Sequence, residues 1–149
     1  MSGLRFRKMV PLDLDHVLEI SNASFRYPWS RALFERELEH EWSTVMVAVP
    51  SGEAPPVGFL VSWIVHDELH VLNLATSPEW RRRGVAAALL AEAFSRARGC
   101  RCTLATLEVR RSNEGALLLY EAEGFRRVGI RPRYYQEEGE DAVVMVKEL

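Results

Sequence analysis

Cysteine is scarce: in 149 residues only Cys100 and Cys102 occur, separated by one position. On a strand that spacing sends both thiols to the same face in a poor geometry for a bridge, so both are expected as free thiols of a cytoplasmic protein. Metal-ligand spacing is lacking too. A lone C-x-C has no second cysteine pair, and His16, His40, His66 and His70 have no accompanying ligands, so no metal is expected. Nor does one sign of charge dominate: 19 Lys and Arg stand against 21 Asp and Glu, a formal net charge of −2. That balance supplies no general basic field for nucleic acid or an anionic membrane. No apolar run approaches bilayer length, and the opening Met1-Ser2-Gly3-Leu4-Arg5-Phe6-Arg7-Lys8 has neither an apolar core nor a small-residue cleavage site. Repeats, low-complexity tracts and long linkers are missing as well.

What is present suits an ordinary folded unit. Hydrophobic residues make up 48% and charged residues 27%, and the length falls where one domain buries a core without staples, so residues 1–149 are expected to form a single domain. Arg5 to Val10 suits a short strand. After Pro11 the positions Leu14, Val17, Leu18 and Ala23 recur at helical spacing, with Asp13 near the start and Pro28 beyond the end. Ser30 is placed to cap a second helix running to about His40, with Trp29 packing on Phe34 as a hydrophobic staple. Thr44–Val49, Val57–Val65 and Leu69–Thr76 read as a three-strand meander, with turn material in Pro50-Ser51-Gly52-Glu53-Ala54-Pro55-Pro56 and in His66-Asp67-Glu68.

A long helix follows from Val85 to Arg98, with Gly99 placed as its C-terminal cap. Then come a strand from Cys102 to Val109, a helix from Glu114 to Glu123 stopped by Gly124, and strands around Phe125–Ile130 and Ala142–Lys147. This order predicts an α/β chain of mixed α+β type, a mixed sheet covered by helices on both faces.

Two segments carry the chemistry. The first, Leu72-Asn73-Leu74-Ala75-Thr76-Ser77-Pro78-Glu79-Trp80-Arg81-Arg82-Arg83-Gly84-Val85-Ala86, is an apolar strand feeding a basic, glycine-bearing loop that opens a helix. The first amides of a helix lack internal acceptors and sit at the positive end of its dipole, so the backbone around Arg82 to Ala87 can cradle a pyrophosphate. Taken alone, the arginines also suit a solvated basic turn. The second segment is Leu107-Glu108-Val109-Arg110-Arg111-Ser112-Asn113-Glu114-Gly115-Ala116-Leu117-Leu118-Leu119-Tyr120-Glu121-Ala122-Glu123-Gly124-Phe125. Read by itself, Glu108 suits a strand-end carboxylate paired with Arg110 or another surface arginine, and Tyr120 suits a core tyrosine.

Together, the R-x-x-G-x-A loop between strand and helix and the L-E-V-R-x-S-N run followed by A-L-x-L-Y-E-x-x-G-F resemble the GNAT superfamily along nearly the whole chain. Phe25-Arg26-Tyr27-Pro28-Trp29-Ser30, Leu72-Asn73-Leu74-Ala75, and Tyr134-Tyr135 with Glu140-Asp141-Ala142 look like its bacterial RimI group. The resemblance implies the GNAT acyl-CoA N-acyltransferase fold, with a central, mostly antiparallel sheet. It implies acetyl-CoA as cosubstrate, held by the backbone of Leu74, Ala75 and Thr76, by Arg82, Arg83, Gly84, Val85, Ala86 and Ala87 at the pyrophosphate, and by Asn113. It further implies Glu108 as general base and Tyr120 as the acid that protonates the departing thiolate. The implied acceptor is a protein N-terminus, of a ribosomal protein beginning with alanine.

Tyr134 and Tyr135 suit either the peptide entrance or a loop anchor. Departures from the pattern are Ala86 for a common glycine, Thr76 for a common valine, and the run Leu104-Ala105-Thr106 before Glu108. The cofactor half of such a fold says little about the acceptor, so a polyamine or amino-sugar acceptor stays open, as does a non-catalytic acyl-CoA-binding module. A nucleic-acid binder built on Arg81–Arg83, Arg126, Arg127, Arg131 and Arg133 is disfavoured, because Glu137, Glu138, Glu140 and Asp141 interrupt the basic track.

Overall fold

Successive strand residues serve two different cores. Val45, Val47 and Val49 join Phe59, Val61 and Ala75 in one buried cluster, while the intervening Met46 and Ala48 join Leu60, Leu74, Leu107 and Met145 in the other. A strand apolar on both faces must be covered on both. The computed structural model describes residues 3–50, 54–135 and 139–149, with Tyr135 described by its backbone alone. The Ser51–Glu53 part of the expected turn, and the acidic pair Glu137 and Glu138, lie outside the described residues.

The elements are β1 (Arg5–Lys8), α1 (Leu14–Ser24), α2 (Arg31–Glu37), β2 (Ser43–Val49), β3 (Gly58–Val65), β4 (Glu68–Thr76), α3 (Val85–Gly99), β5 (Leu104–Arg110), α4 (Glu114–Ala122), β6 (Arg126–Tyr135) and β7 (Glu140–Glu148). They form a seven-stranded sheet in the order β1-β2-β3-β4-β5-β7-β6. Among the described residues only β4 and β5 pair in parallel, and every other neighbour is antiparallel. Leu14, Val17 and Ile20 of α1 and Phe34 of α2 cover one face; Val85, Leu89 and Leu90 of α3 and Leu117 of α4 cover the other. The expected mixed, mostly antiparallel sheet with helices on both faces is the architecture found.

Local signals held where hydrogen-bond chemistry was specific. Ser30 Oγ accepts from the Leu33 amide at 3.2 Å, and the Trp29 and Phe34 rings lie 5.3 Å apart, as a cap and staple require. Two boundaries moved. Helix α2 stops at Glu37 because the amides of Leu38, Glu39 and His40 donate three residues back, tightening into a turn. Gly99 is not a left-handed cap: α3 runs through it, and the positive φ of 65° belongs to Arg101. The Cys100 and Cys102 amides both donate to the Ala97 carbonyl, so the chain wraps the helix end before β5 starts at Leu104. The two thiols therefore share no strand face: Cys100 is exposed and Cys102 is buried.

Gly58 sets how closely α3 approaches the sheet. A Cβ there would meet Val85 Cγ1 at 2.9 Å and the Ala75 carbonyl at 3.1 Å, so only glycine lets the first turn of α3 lie on β3 and β4.

Asp13 ties β1 to the start of α1. Its carboxylate accepts from Arg7 at 2.6 and 2.9 Å and from the Val10 amide at 2.9 Å. These bonds, Arg7 foremost, hold the carboxyl below its ordinary range against the opposing effect of burial. A carboxyl whose folded pKa is depressed contributes stability above its unfolded pKa and loses it as pH falls through the folded value. Asp13→Asn should therefore be less stable than the parent by about 1–3 kcal/mol at pH 7. Urea unfolding curves recorded at progressively lower pH should show the difference shrinking as the pH falls through the depressed folded value, where the parent carboxyl takes up its proton.

Candidate active site

The parallel pairing of β4 with β5 ends at Val71 and Leu107. At the next residue β4 carries a bulge: Ser62 of β3 faces Val71 and Val61 faces Asn73, so Leu72 is the extra residue. A bulge bends its strand and re-aims the side chains around it. Beyond it β4 stays with β3, and β5 stays with β7 through Glu108 and Val109. The two strands diverge, leaving the Leu72–Thr76 main chain without a strand partner on the β5 side among the described residues. The sheet is thereby split at its centre.

On the α3 and α4 side the split opens into a groove of about 720 Å³, lined by Leu74, Ala75, Thr76, Arg82, Gly84, Val85, Ala86, Ala87, Asn113 and Tyr120 among others. That volume is ample for an extended cofactor arm. The first intrahelical bond of α3 runs from the Ala88 amide to the Gly84 carbonyl at 3.0 Å. The amides of Val85, Ala86 and Ala87 thus lack intrahelical acceptors at the positive end of a helix of 15 residues. Gly84 has φ 79°, and no atom lies within 4 Å of the place a Cβ would take, so the loop is open to a close-approaching anion. The neighbouring Arg82 also sits at positive φ.

The other arm of the split is a smaller pocket walled by Phe25, Tyr27 and Trp29, with Leu72, Asn73, Leu74, Glu108 and Arg110. Leu107 and Val109 belong to the cluster under α3 and α4, so Glu108 between them faces the α1 and α2 side. Arg131 Nη1 donates to Glu108 Oε1 at 3.0 Å, and its guanidinium lies 4.4 Å from the centre of the Tyr134 ring. A hydrogen bond to Glu108, with burial second, raises the Tyr134 hydroxyl above its ordinary pKa. Glu108 is thus held from β6, while the Arg110 guanidinium lies 3.8 Å from Glu140 and 5.3 Å over the Tyr27 ring. The two arms meet at Phe25, Leu74, Asn113, Ala116 and Tyr120, which line both.

The structure brings most of the sequence-selected residues together. Asn113 caps α4, its Oδ1 accepting from the Ala116 amide at 3.1 Å, which fixes it at the junction. Arg83 departs: it stacks over Trp80 at 4.9 Å and is not among the groove-lining residues. Tyr134 reaches Glu108 from β6, whereas the Tyr135 side chain lies outside the described residues. Sequence reasoning passed over Arg81, which donates to the Thr76 and Ala23 carbonyls and to Ser24 Oγ, tying the end of α1 to the groove. It placed Phe25, Tyr27 and Trp29 within the family-like run and gave Trp29 a staple on Phe34, but assigned none of them to the site, though three aromatics around a proline just after a helix are a visible signal.

A family model described as "Acetyltransferase (GNAT) family" matches residues 14–125. The chain belongs to the GNAT acetyltransferase family. Among its relatives is a Bacillus subtilis protein provisionally named as a ribosomal protein bS18-alanine N-acetyltransferase, 36% identical over 140 residues, covering 93% of this chain and 91% of that one. The N-alpha-acetyltransferase RimI of Mycobacterium tuberculosis is 37% identical over 122 residues, covering 79% and 74%. The crystal structure of the Escherichia coli ribosomal-protein-S18-alanine N-acetyltransferase superposes with a TM-score of 0.85 at 28% identity, covering 97% of this chain and 93% of that one. The matched residues span both the split sheet and the open helix start.

Proposed function

We propose that residues 1–149 act as one domain that transfers the acetyl group of acetyl-CoA to the N-terminal α-amine of a protein, a ribosomal protein beginning with alanine. The observation that carries this reading is that the groove with the open helix start and the pocket holding Glu108 meet at Tyr120, across a single split in the sheet. Support for the acceptor comes from relatives at 36% and 28% identity whose names specify alanine N-acetylation of a ribosomal protein.

Acetyl-CoA supplies an activated thioester. The amides of Val85, Ala86 and Ala87, with Arg82 beside them, hold its pyrophosphate, and the main chain of Leu74, Ala75 and Thr76 together with Asn113 holds its arm. Backbone N–H groups near Leu74 and Ala75 receive the charge that builds on the acetyl oxygen. An N-terminal amine has an unperturbed pKa near 8, so it arrives largely protonated and must lose a proton to attack. Glu108 accepts that proton, directly or through water, from the aromatic-walled side. As the new C–N bond forms and the C–S bond breaks, the Tyr120 hydroxyl gives its proton to the sulfur from the other side, and the second proton, shed by the nitrogen as it becomes an amide, returns through water to restore the tyrosine. No covalent enzyme intermediate is needed, and neither cysteine takes part.

A thiol-release assay tests this. Peptides with free alanine, serine or methionine N-termini should be turned over, alanine fastest, while spermidine and an N-blocked lysine peptide should react at least about a hundredfold more slowly. Exclusive turnover of the polyamine would overturn the acceptor. Saturable coenzyme A binding without any turnover would overturn the enzyme in favour of an acyl-CoA-binding module.

A further inference from the structure

Asn73 interrupts an apolar run, Leu72-Asn73-Leu74, and is only 8% exposed. Its Nδ2 is fully buried and has no acceptor among the described residues. Burying an amide donor without a partner is costly, so a native strand keeps one where something else completes it. The surroundings show where that would happen. Asn73 lines the pocket that contains Glu108, and it follows directly on the bulge at Leu72. Leu74 belongs to the cluster under α3 and α4 and Ala75 to the opposite one, so Asn73 faces the α1 and α2 side, the side Glu108 faces. A base on β5 and an orphan donor on β4 therefore flank the split on the same side of the sheet.

We propose that Asn73 is a specificity-determining residue whose Nδ2 donates to the carbonyl oxygen of the acceptor's first residue, so that the site selects an α-amine followed by a peptide group over a plain alkylamine. The inference rests on the acetyl-transfer reading above, with Glu108 as base. The chemistry of the acceptor fixes the partner. In an N-terminal residue the carbonyl oxygen is three bonds from the amine nitrogen, so an amine presented to Glu108 carries that oxygen into the same pocket. A polyamine brings a methylene to the same place and leaves Nδ2 unsatisfied. A site built to hydrogen-bond one substrate group rejects the analogue that lacks it.

The test compares an alanine-headed tetrapeptide with its isostere in which a trans-alkene replaces the first peptide bond, on the parent protein and on Asn73→Leu. The parent should favour the peptide by about tenfold or more in kcat/KM. Asn73→Leu should erase that preference while its rate on the alkene analogue stays within about threefold of the parent's and its coenzyme A affinity is unchanged. Asn73→Asp, which keeps the shape but cannot donate when ionised, should lose the preference too and serves if the leucine variant fails to fold. An equal fall on both substrates would mark Asn73 as merely structural, and a preference that survived both substitutions would place the selecting group elsewhere; either overturns the proposal. A parent protein that acetylates neither compound while binding coenzyme A would instead remove the acetyl-transfer reading itself, and this proposal with it.

Discussion

Glu108→Gln is expected to lower kcat/KM for an alanine-headed peptide by roughly 10²- to 10³-fold at neutral pH, the range over which a positioned general base acts. The substitution keeps the side chain's size and its ability to accept a hydrogen bond from Arg131, now 3.0 Å from Glu108 Oε1. What it removes is the capacity to take a proton. The pH dependence separates that loss from damage to the pocket. An acceptor amine with a pKa near 8 is mostly protonated at pH 7 and mostly free at pH 9, so the variant should recover activity steadily over that interval. The parent should gain less, because its base already does the deprotonation. A variant as slow at pH 9 as at pH 7 would show that Glu108 shapes the pocket and is not the proton acceptor. Calorimetric titration with coenzyme A should give the parent's affinity, since Glu108 lines only the acceptor arm.

Tyr120→Phe should be nearly as severe in kcat and far gentler in stability. The ring is 9% exposed and stands edge-on to Phe125 with centroids 5.7 Å apart, within the cluster that binds α3 and α4 to the sheet. Phenylalanine preserves that packing, so the melting temperature should shift by only a few degrees, as a change of about 1 kcal/mol produces in a domain of this size. Loss of the hydroxyl leaves the thiolate to depart unprotonated, for which a fall of roughly 10²-fold in kcat is expected with little change in peptide KM. Tyr120→Ala is the contrasting control: truncating a buried aromatic costs about 3–5 kcal/mol and should lower stability and activity together. If phenylalanine leaves turnover intact, Tyr120 is the core tyrosine that its helical spacing also suits.

The pairing of Glu108 with Arg131 shows how the two readings of that carboxylate combine. From sequence alone an arginine partner and a catalytic role looked like alternatives. In the fold Glu108 has an arginine partner, yet it lines the pocket with about 29% of its side chain exposed and its partner comes from the more exposed β6. A partner supplied by an edge strand orients the carboxylate without closing the pocket over it. The aromatic wall follows the same logic. Phe25, Tyr27 and Trp29 lie between α1 and α2, and Arg81 binds the end of α1 to the outlet of β4, so the loop that walls the acceptor side is tied to the element that opens the cofactor groove.

Sequence alone determined the order of elements, the capped start of α2, the glycine-bearing loop before α3, and the run that places Glu108 on a strand and Tyr120 on the next helix. These are legible because they depend on neighbours close in the chain: strand alternation, helical spacing, caps, and amides freed at a helix start. Only the tertiary structure decided that β4 and β5 part company at Leu72, that Arg131 and Tyr134 reach Glu108 from 23 and 26 positions further along the chain, and that Asn73 is left with an unanswered donor. Those facts turn on which strand lies beside which and where a register slips by one residue, and such pairings link segments far apart in the chain, whose meeting no local pattern encodes.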